Sequence, residues 1–142
     1  MDIFFYLYLF AIAINDWQTM YFSKWWVLPS LVILGLFFPV DLVSSCMGTF
    51  LFGGMSILLY HIHHDWIGVA DVAYLSYFGF LLGYERMTIA LLIGISIGLV
   101  YAYIRKAKTI PFLTCLSLGC LVAWWHGYEL FYTCLLESGF DR

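Results

Sequence analysis

Long runs of apolar residues dominate this sequence and constrain its fold more than any other feature. Hydrophobic residues make up 64% of the 142 positions and charged residues only 11%, whereas a soluble domain carries about a quarter charged residues. A membrane-spanning helix needs roughly 20 apolar residues. The chain is therefore predicted to be an all-α, polytopic membrane protein of about six transmembrane helices joined by short loops.

The same composition excludes several other classes of protein. Soluble, disordered and disulfide-stapled folds do not fit it, and six Lys and Arg against nine Asp and Glu give no basic surface for nucleic acid. No two cysteines have the CxxC spacing of a zinc knuckle or a redox pair. We expect no metal and no cofactor, and the cysteines to be small packing residues. They are Cys46, Cys115, Cys120 and Cys134.

Six spans can be delimited where charges, prolines or glycines interrupt the apolar runs. They are predicted at Ile3–Met20, Trp26–Val40, Leu42–His61, Ile67–Gly83, Met87–Ile104 and Pro111–Leu135. The first apolar run lacks the basic region and the cleavage site of a signal peptide, so it is expected to be a retained helix. No linker is long enough to divide the chain, and residues 1–142 are predicted to form one transmembrane domain.

The basic residues of the short loops predict the orientation in the membrane. With six spans, four basic residues fall on one side, namely Lys24, Arg105, Lys106 and Lys108. Arg86 and Arg142 fall on the other side. Because basic loops stay in the cytoplasm, the first set is predicted to be cytoplasmic and both termini extracytoplasmic.

Glycine and histidine patterns give secondary predictions. The Gly79-x-x-x-Gly83 and Gly94-x-x-x-Gly98 spacings favour close helix contacts, within the bundle rather than between two copies. His61, His63 and His64 are expected in a solvated loop, although His61 and Asp65 have a spacing that could share a metal. His126 and Glu129 are expected to form a pair near the outer membrane surface.

Two acidic residues lie at membrane depth, where an ionisable group is costly and is a functional candidate by default. Asp16 ends the first apolar run, and Asp71 lies about one turn inside the fourth span. Both fall in the cytoplasmic half by the predicted orientation, which suggests a carboxylate pair. Three readings are open: a helix cap and a solvated residue, a proton or ion relay in a small transporter, or a catalytic dyad.

The catalytic reading has a defined chemistry. Two close carboxyl groups cannot easily both ionise, so the pair holds a single proton. The ionised member can take a proton from water while the protonated member stabilises the oxyanion that forms on a peptide carbonyl. This is aspartic protease chemistry, and it requires no metal.

Three stretches of the sequence carry a resemblance to a known family. Asp16 is followed by Phe22-Ser23-Lys24 and Val27-Leu28-Pro29, the second acid stands in Gly68-Val69-Ala70-Asp71, and Ile110-Pro111-Phe112 opens the last span. In this order and spacing the chain resembles the prepilin peptidases (type IV leader peptidases), which are intramembrane aspartic proteases with a Gly-x-Gly-Asp motif.

The resemblance implies a function. Asp16 and Asp71 would be catalytic, while Gly68, Ala70 and Pro111 would position the backbone or the substrate. The partners would be type IV prepilins or competence pseudopilins, cut after Gly at the cytoplasmic boundary of a bacterial cell membrane. The cysteine-bearing domain linked to zinc and methylation is missing, so the short, competence-type form is expected to be a peptidase without methyltransferase activity.

The sequence also departs from the family pattern. Ala70 replaces the second glycine, Phe22-Ser23-Lys24 replaces Ile-Pro-Asn, and Ala73 stands where the family usually has Lys. A non-catalytic, degenerate component of a pilus or competence assembly machinery is therefore the alternative to the peptidase. A small proton- or ion-coupled transporter is a second alternative.

Overall fold

The structure is a computed structural model that describes residues 2–19, 30, 32, 41–62, 67–106 and 110–137. Every element in these residues is a helix. We number them α1 (Asp2–Thr19), α2 (Leu42–Ile62), α3 (Val69–Arg105) and α4 (Phe112–Glu137). The predicted second span, Trp26–Val40, lies outside the described residues except for Ser30 and Val32, as does the Phe22-Ser23-Lys24 stretch.

The bounds of α1, α2 and α4 agree with the sequence prediction within two residues at each end. By length and composition, two of the described helices could cross a membrane, namely α2 and α3. Many large apolar side chains are exposed on the helix surfaces, including Phe4, Leu42 and Phe50, as expected where helices face lipid. The number of six spans and the extracytoplasmic termini stay predictions.

Helix α3 combines the predicted fourth and fifth spans and is divided at one residue. Gly83 has φ 73° and ψ 173°, a backbone conformation that glycine adopts readily because it has no Cβ. The predicted break lay at Tyr84-Glu85-Arg86, but those three residues are helical. Gly83 alone therefore separates a first arm, residues 69–82, from a second arm, residues 84–105.

Contacts with α1 show that the two arms run in opposite directions. In the first arm, Tyr77 packs edge-on against Tyr8 of α1 at a ring distance of 5.8 Å, and Asp71, six residues earlier, is within electrostatic reach of Asp16 near the end of α1. Tyr101, near the end of the second arm, packs edge-on against Trp17 at a ring distance of 5.6 Å. Since both ends of α3 reach the same end of α1, the chain reverses direction at Gly83.

Small residues allow the arms of α3 to pack closely on their neighbours. A Cβ added at Gly48 of α2 would overlap the carbonyl oxygen of Gly79 in the first arm, and one added at Gly119 of α4 would overlap that of Ala90 in the second arm. Gly94 likewise lies against the backbone of Leu116. Of the four glycines in the predicted Gly-x-x-x-Gly spacings, Gly79 and Gly94 lie at close contacts between helices of this chain.

Helix α2 contains a π-helical stretch, Thr49–Gly53, between two α-helical segments. The stretch lies between two contacts with the first arm, because Gly48 meets Gly79 and Gly53 meets Ser76. A π-helical turn contains an extra residue relative to the α-helix. The extra residue is therefore absorbed between two fixed contact points.

The core lies where α1, the two arms of α3 and α4 meet. Its largest fully buried side chains come from all three helices, and they include Phe5, Leu9, Tyr74, Tyr77, Phe78, Met87 and Leu116. Rings from different helices are in direct contact: Tyr8 meets Tyr77 at 5.8 Å and Phe5 meets Trp124 at 4.6 Å. These contacts fix α1 against both α3 and α4.

Candidate active site

Asp16 is buried between α1 and the beginning of α4, with only 7% of its surface exposed. Its Oδ2 atom accepts hydrogen bonds from the backbone N–H of Thr114 at 2.9 Å and from the Thr114 hydroxyl at 3.0 Å. Within the described residues, both hydrogen bonds to Asp16 end on Oδ2. The other oxygen, Oδ1, is therefore not engaged by α4.

The start of α4 explains why an acid fits at this point. The first N–H groups of a helix have no partner within the helix, and Thr114 is the third residue of α4, after Phe112 and Leu113. Asp16 supplies the missing acceptor from another helix, and its negative charge lies at the positive end of the helix dipole. Pro111 is fully buried directly before the helix, and its carbonyl accepts the N–H of Cys115.

The Thr114 hydroxyl has a second acceptor on α1. Its oxygen lies 3.1 Å from the carbonyl oxygen of Ala13, one helical turn before Asp16. Because a hydroxyl has a single proton, it donates to one of the two acceptors at a time. Thr114 thus joins α4 to α1 at two neighbouring points.

Asp71 lies in the first turn of α3 and is half-buried. Its Oδ2 atom accepts the backbone N–H of Gly68 at 3.1 Å, a common use of an acid three residues after the helix cap. The carboxyl group of Asp71 is also within electrostatic reach of Asp16. The two acids that the sequence singled out therefore lie on separate helices, within electrostatic reach of each other.

Gly68 and Ala70 flank Asp71. Gly68 has an extended conformation, with φ −75° and ψ 154°, which any residue can adopt, so no left-handed backbone explains the glycine. A Cβ at this position would lie 3.3 Å from Oδ2 of Asp71. Gly68 therefore contributes its N–H and leaves space beside the carboxyl group, while Ala70 is half-buried in α3 directly before it.

An apolar groove of about 310 Å³ lies between α1 and α4. Its walls include Tyr6, Phe10, Ala13, Ser117 and Leu121. Ala13 is one helical turn from Asp16, and Ser117 is one turn from Thr114. The Asp16–Thr114 contact consequently lies beyond one end of the groove.

A comparison with known families decides what kind of protein carries this site. The model described as the type IV leader peptidase family matches residues 3–103, which is well over half of the chain and includes both acids. The chain belongs to the type IV leader peptidase family. Neither a curated protein nor a solved structure gives a match.

The family match and the resemblance noted from the sequence overlap but differ in extent. Asp16 and the Gly68-Val69-Ala70-Asp71 stretch lie inside the matched residues. The Ile110-Pro111-Phe112 stretch lies beyond them. The role of Pro111 therefore stays a prediction, supported by its buried position at the start of α4.

The bounds of the predicted fourth and fifth spans, Ile67–Gly83 and Met87–Ile104, place a second buried acid, Glu85, in a loop. That placement is wrong: Glu85 is helical, at the start of the second arm of α3, and only 9% exposed. Its Oε2 atom accepts the Ser44 hydroxyl at 2.7 Å, and the Tyr84 N–H donates to the same hydroxyl oxygen at 3.3 Å. A glycine followed by an acid within two residues was the sequence signal for a new helix start here.

Arg86, the next residue, contacts α4 rather than α2. Its guanidinium group lies 5.2 Å from the centre of the Trp124 ring and 4.2 Å from that of Tyr128, distances typical of cation–π contacts. Glu85 and Arg86 thus fasten the beginning of the second arm to two different helices. The hydrogen bonds and ring contacts of these two residues therefore have a structural role.

The remaining polar candidates have simpler explanations. His126 and Glu129 form the predicted pair at 3.3 Å, with both side chains exposed, and His61 is exposed at the end of α2, while His63 and His64 lie outside the described residues. All four cysteines are free, with Cys115 and Cys120 buried. In the part of the chain that the structure describes, no three His, Cys, Asp or Glu residues are grouped to hold a metal ion.

Proposed function

We propose that this family member is an intramembrane aspartic endopeptidase that removes the short basic leader of prepilin-like proteins. One observation carries the proposal: Asp16 of α1 and Asp71 of α3 lie within electrostatic reach of each other in a chain of the leader peptidase family. A carboxyl pair can share one proton, which gives a base and an acid in the same place.

We assign the base to Asp16 and the acid to Asp71. Two donors and the N-terminal end of α4 meet Oδ2 of Asp16, an arrangement suited to a carboxylate. Asp71 is half-buried and accepts one backbone N–H. In this assignment Oδ1 of Asp16 takes a proton from water, and Asp71 gives its proton to the carbonyl oxygen of the scissile peptide.

The reaction balances without a metal or a cofactor. Water adds to the carbonyl carbon and forms a tetrahedral diol, with Asp16 now protonated and Asp71 ionised. Asp16 then returns its proton to the leaving nitrogen as the C–N bond breaks, and Asp71 recovers a proton from the diol. One water is consumed, and the products are a carboxylic acid and an amine, with the dyad restored.

Charge on the molecule supports a cytoplasmic active site. Arg105 and Lys106 are exposed at the end of the second arm, the same end at which Tyr101 contacts Trp17 beside Asp16. Because basic residues accumulate on the cytoplasmic side, the acids belong to that side of the membrane. A pilin-like substrate in a bacterial cell membrane would present its leader junction there, with Gly before the cut leaving the carbonyl uncrowded.

The test is cleavage of a tagged pseudopilin from the same organism, co-expressed with the wild-type chain or with Asp16→Asn or Asp71→Asn. We expect the wild type to shorten the substrate by the length of its leader. Each amide variant should lose at least about a hundredfold in rate, the scale of general acid–base catalysis. Glu129→Gln, an exposed acid of α4, is the matched control and should cleave normally.

Two results would contradict the proposal. Substantial cleavage by either amide variant would remove that acid from the dyad. If the wild-type chain inserts into the membrane and leaves every pseudopilin uncut, the chain is instead a non-catalytic component of an assembly machinery, with Ala73 and the Phe22-Ser23-Lys24 stretch as the first positions to restore.

A further inference from the structure

We propose that Thr114 is a positioning residue, which holds the carboxyl group of Asp16 in the orientation that the reaction needs. This inference rests on the proposed peptidase function and adds to it a residue of α4 that the sequence analysis did not single out. It also assigns different tasks to the two oxygens of Asp16. Oδ2 is fixed by Thr114, and Oδ1 is left to meet the reacting water.

The geometry distinguishes Thr114 from other hydroxyl residues in the helices. Thr88, Ser96 and Thr133 each donate to the carbonyl oxygen four residues earlier in their own helix. Thr114 is too close to the start of α4 to have such a partner in that helix. Its hydroxyl points to α1 instead, at 3.0 Å from Asp16 and 3.1 Å from the carbonyl of Ala13.

Two donors from one residue restrict the carboxyl group of Asp16 more than a single donor would. The N–H of Thr114 lies 2.9 Å from Oδ2 and the hydroxyl lies 3.0 Å from the same atom, so rotation of the carboxyl group would break both hydrogen bonds. Hydrogen bonds to an ionised acceptor are the strong ones. The hydroxyl proton therefore favours Oδ2 while Asp16 is a carboxylate.

The Ala13 carbonyl gives the same hydroxyl a second acceptor. When Asp16 has taken a proton from water, Oδ2 becomes a weaker acceptor and the Thr114 proton can turn to Ala13. Thr114 thus keeps α1 and α4 joined in both protonation states of Asp16. A hydroxyl is needed for this task, whereas the methyl group of Thr114 is not.

The experiment compares Thr114→Val with Thr114→Ser. Valine keeps the size, the β-branched shape and the backbone N–H of threonine but lacks the hydroxyl, whereas serine keeps the hydroxyl. We expect Thr114→Val to lower kcat about tenfold with KM nearly unchanged, the scale of one hydrogen bond to a charged group. Thr114→Ser should restore most of the activity.

Thr88→Val is the matched control, since its hydroxyl donates only to the Tyr84 carbonyl within α3. It should leave kcat and KM within about twofold of the wild type, as for a substitution remote from the chemistry. If Thr114→Val cleaves like the wild type, the positioning role is wrong while the peptidase proposal stands. A fall in activity that serine fails to restore would also overturn the role.

A spectroscopic measurement tests the contact without using activity. The infrared carboxyl band of Asp16, identified by its loss in Asp16→Asn, should shift in Thr114→Val and return toward its original position in Thr114→Ser. An unchanged band would overturn the inference even in a chain that cleaves no substrate. A shifted band in an inactive wild-type chain would instead confirm the contact and count only against the peptidase proposal.

Discussion

Two buried acids at opposite ends of the molecule have almost the same local chemistry. Asp16 joins α1 to α4 through the hydroxyl and N–H of Thr114, and Glu85 joins the second arm of α3 to α2 through Ser44. Asp16 lies near the end of α1, beside the beginning of α4, and Glu85 lies near the beginning of the second arm of α3. Each acid accepts a hydrogen bond from a hydroxyl group on another helix. Burial and hydrogen bonding alone therefore do not distinguish them.

The difference lies in the neighbouring charge. Asp16 is within electrostatic reach of a second acid, Asp71, whereas Glu85 precedes Arg86, whose charge is held by Trp124 and Tyr128. Two acids in one place are unfavourable for stability and useful for proton transfer. The comparison indicates that a neighbouring carboxyl group, rather than burial alone, distinguishes the candidate active site from the region around Glu85.

The largest difference should appear when Asp71 and Glu85 are each replaced by the corresponding amide. We expect Asp71→Asn to lower the cleavage rate at least about a hundredfold, with little change in unfolding temperature. Glu85→Gln should do the reverse: cleavage should continue, and the free energy of unfolding should fall by about 1 kcal/mol because a hydrogen bond to a charged group becomes a neutral one. Cleavage assays and thermal unfolding in detergent measure the two quantities.

Equal loss of cleavage in the Asp71→Asn and Glu85→Gln variants would break the distinction between the two ends. Ser44→Ala tests the structural role of Glu85 separately, because it removes the hydroxyl group that donates to Glu85 and leaves the carboxyl group in place. It should lower stability and not cleavage.

A smaller effect on cleavage is expected from Gly68→Ala, which tests how closely the position of the Asp71 carboxyl group is constrained. The added Cβ would lie 3.3 Å from Oδ2 of Asp71 and should displace the carboxyl group by a few tenths of an ångström. We expect cleavage to fall about three- to tenfold, because the reaction depends on the orientation of the acids. Initial cleavage rates at saturating substrate provide the measurement.

Gly54→Ala in α2 is the matched control, since a Cβ there meets no atom within 4 Å. It should cleave at the wild-type rate, with a helix stabilised by up to about 1 kcal/mol. Full activity of Gly68→Ala would mean that the Asp71 carboxyl group tolerates crowding.

The smallest effect should come from Ala70→Gly, which restores the second glycine of the family motif. Ala70 is half-buried in the first turn of α3, so the helix should lose up to about 1 kcal/mol while cleavage stays within about twofold of the wild type. Parallel cleavage and unfolding measurements would check both. An inactive Ala70→Gly variant would contradict the alignment of this stretch with the motif.

The sequence predicted the bounds of three of the four described helices well, because these bounds follow from the positions of apolar and charged residues. The bounds of α1, α2 and α4 were obtained in this way, whereas the pairing of Asp16 with Asp71 in a catalytic dyad stays a prediction. The position of a residue in the sequence predicts how far along a helix its side chain lies, but it does not predict which neighbouring helix that side chain faces. For that reason the contact of Asp16 with Thr114 was not predicted.

The division of α3 at Gly83 shows a second feature that could not be predicted from the sequence. The charged residues Glu85 and Arg86 indicated an interruption, and the loop expected there led to the wrong placement of Glu85. One glycine is enough to reverse the chain there, so the charged residues continue the helix and face its neighbours. Local composition could not distinguish a loop from a reversal at a single residue.

The π-helical stretch of α2 has a consequence for how the gene can vary. Removing one residue elsewhere in a helix rotates all that follows by about 100°, which would separate the small residues of α2 from the first arm. Between Thr49 and Gly53, the same deletion would convert the stretch to an ordinary α-helix and leave Gly48 and Gly53 on the side that faces their partners. This short segment is where α2 can change length by one codon and keep its fit.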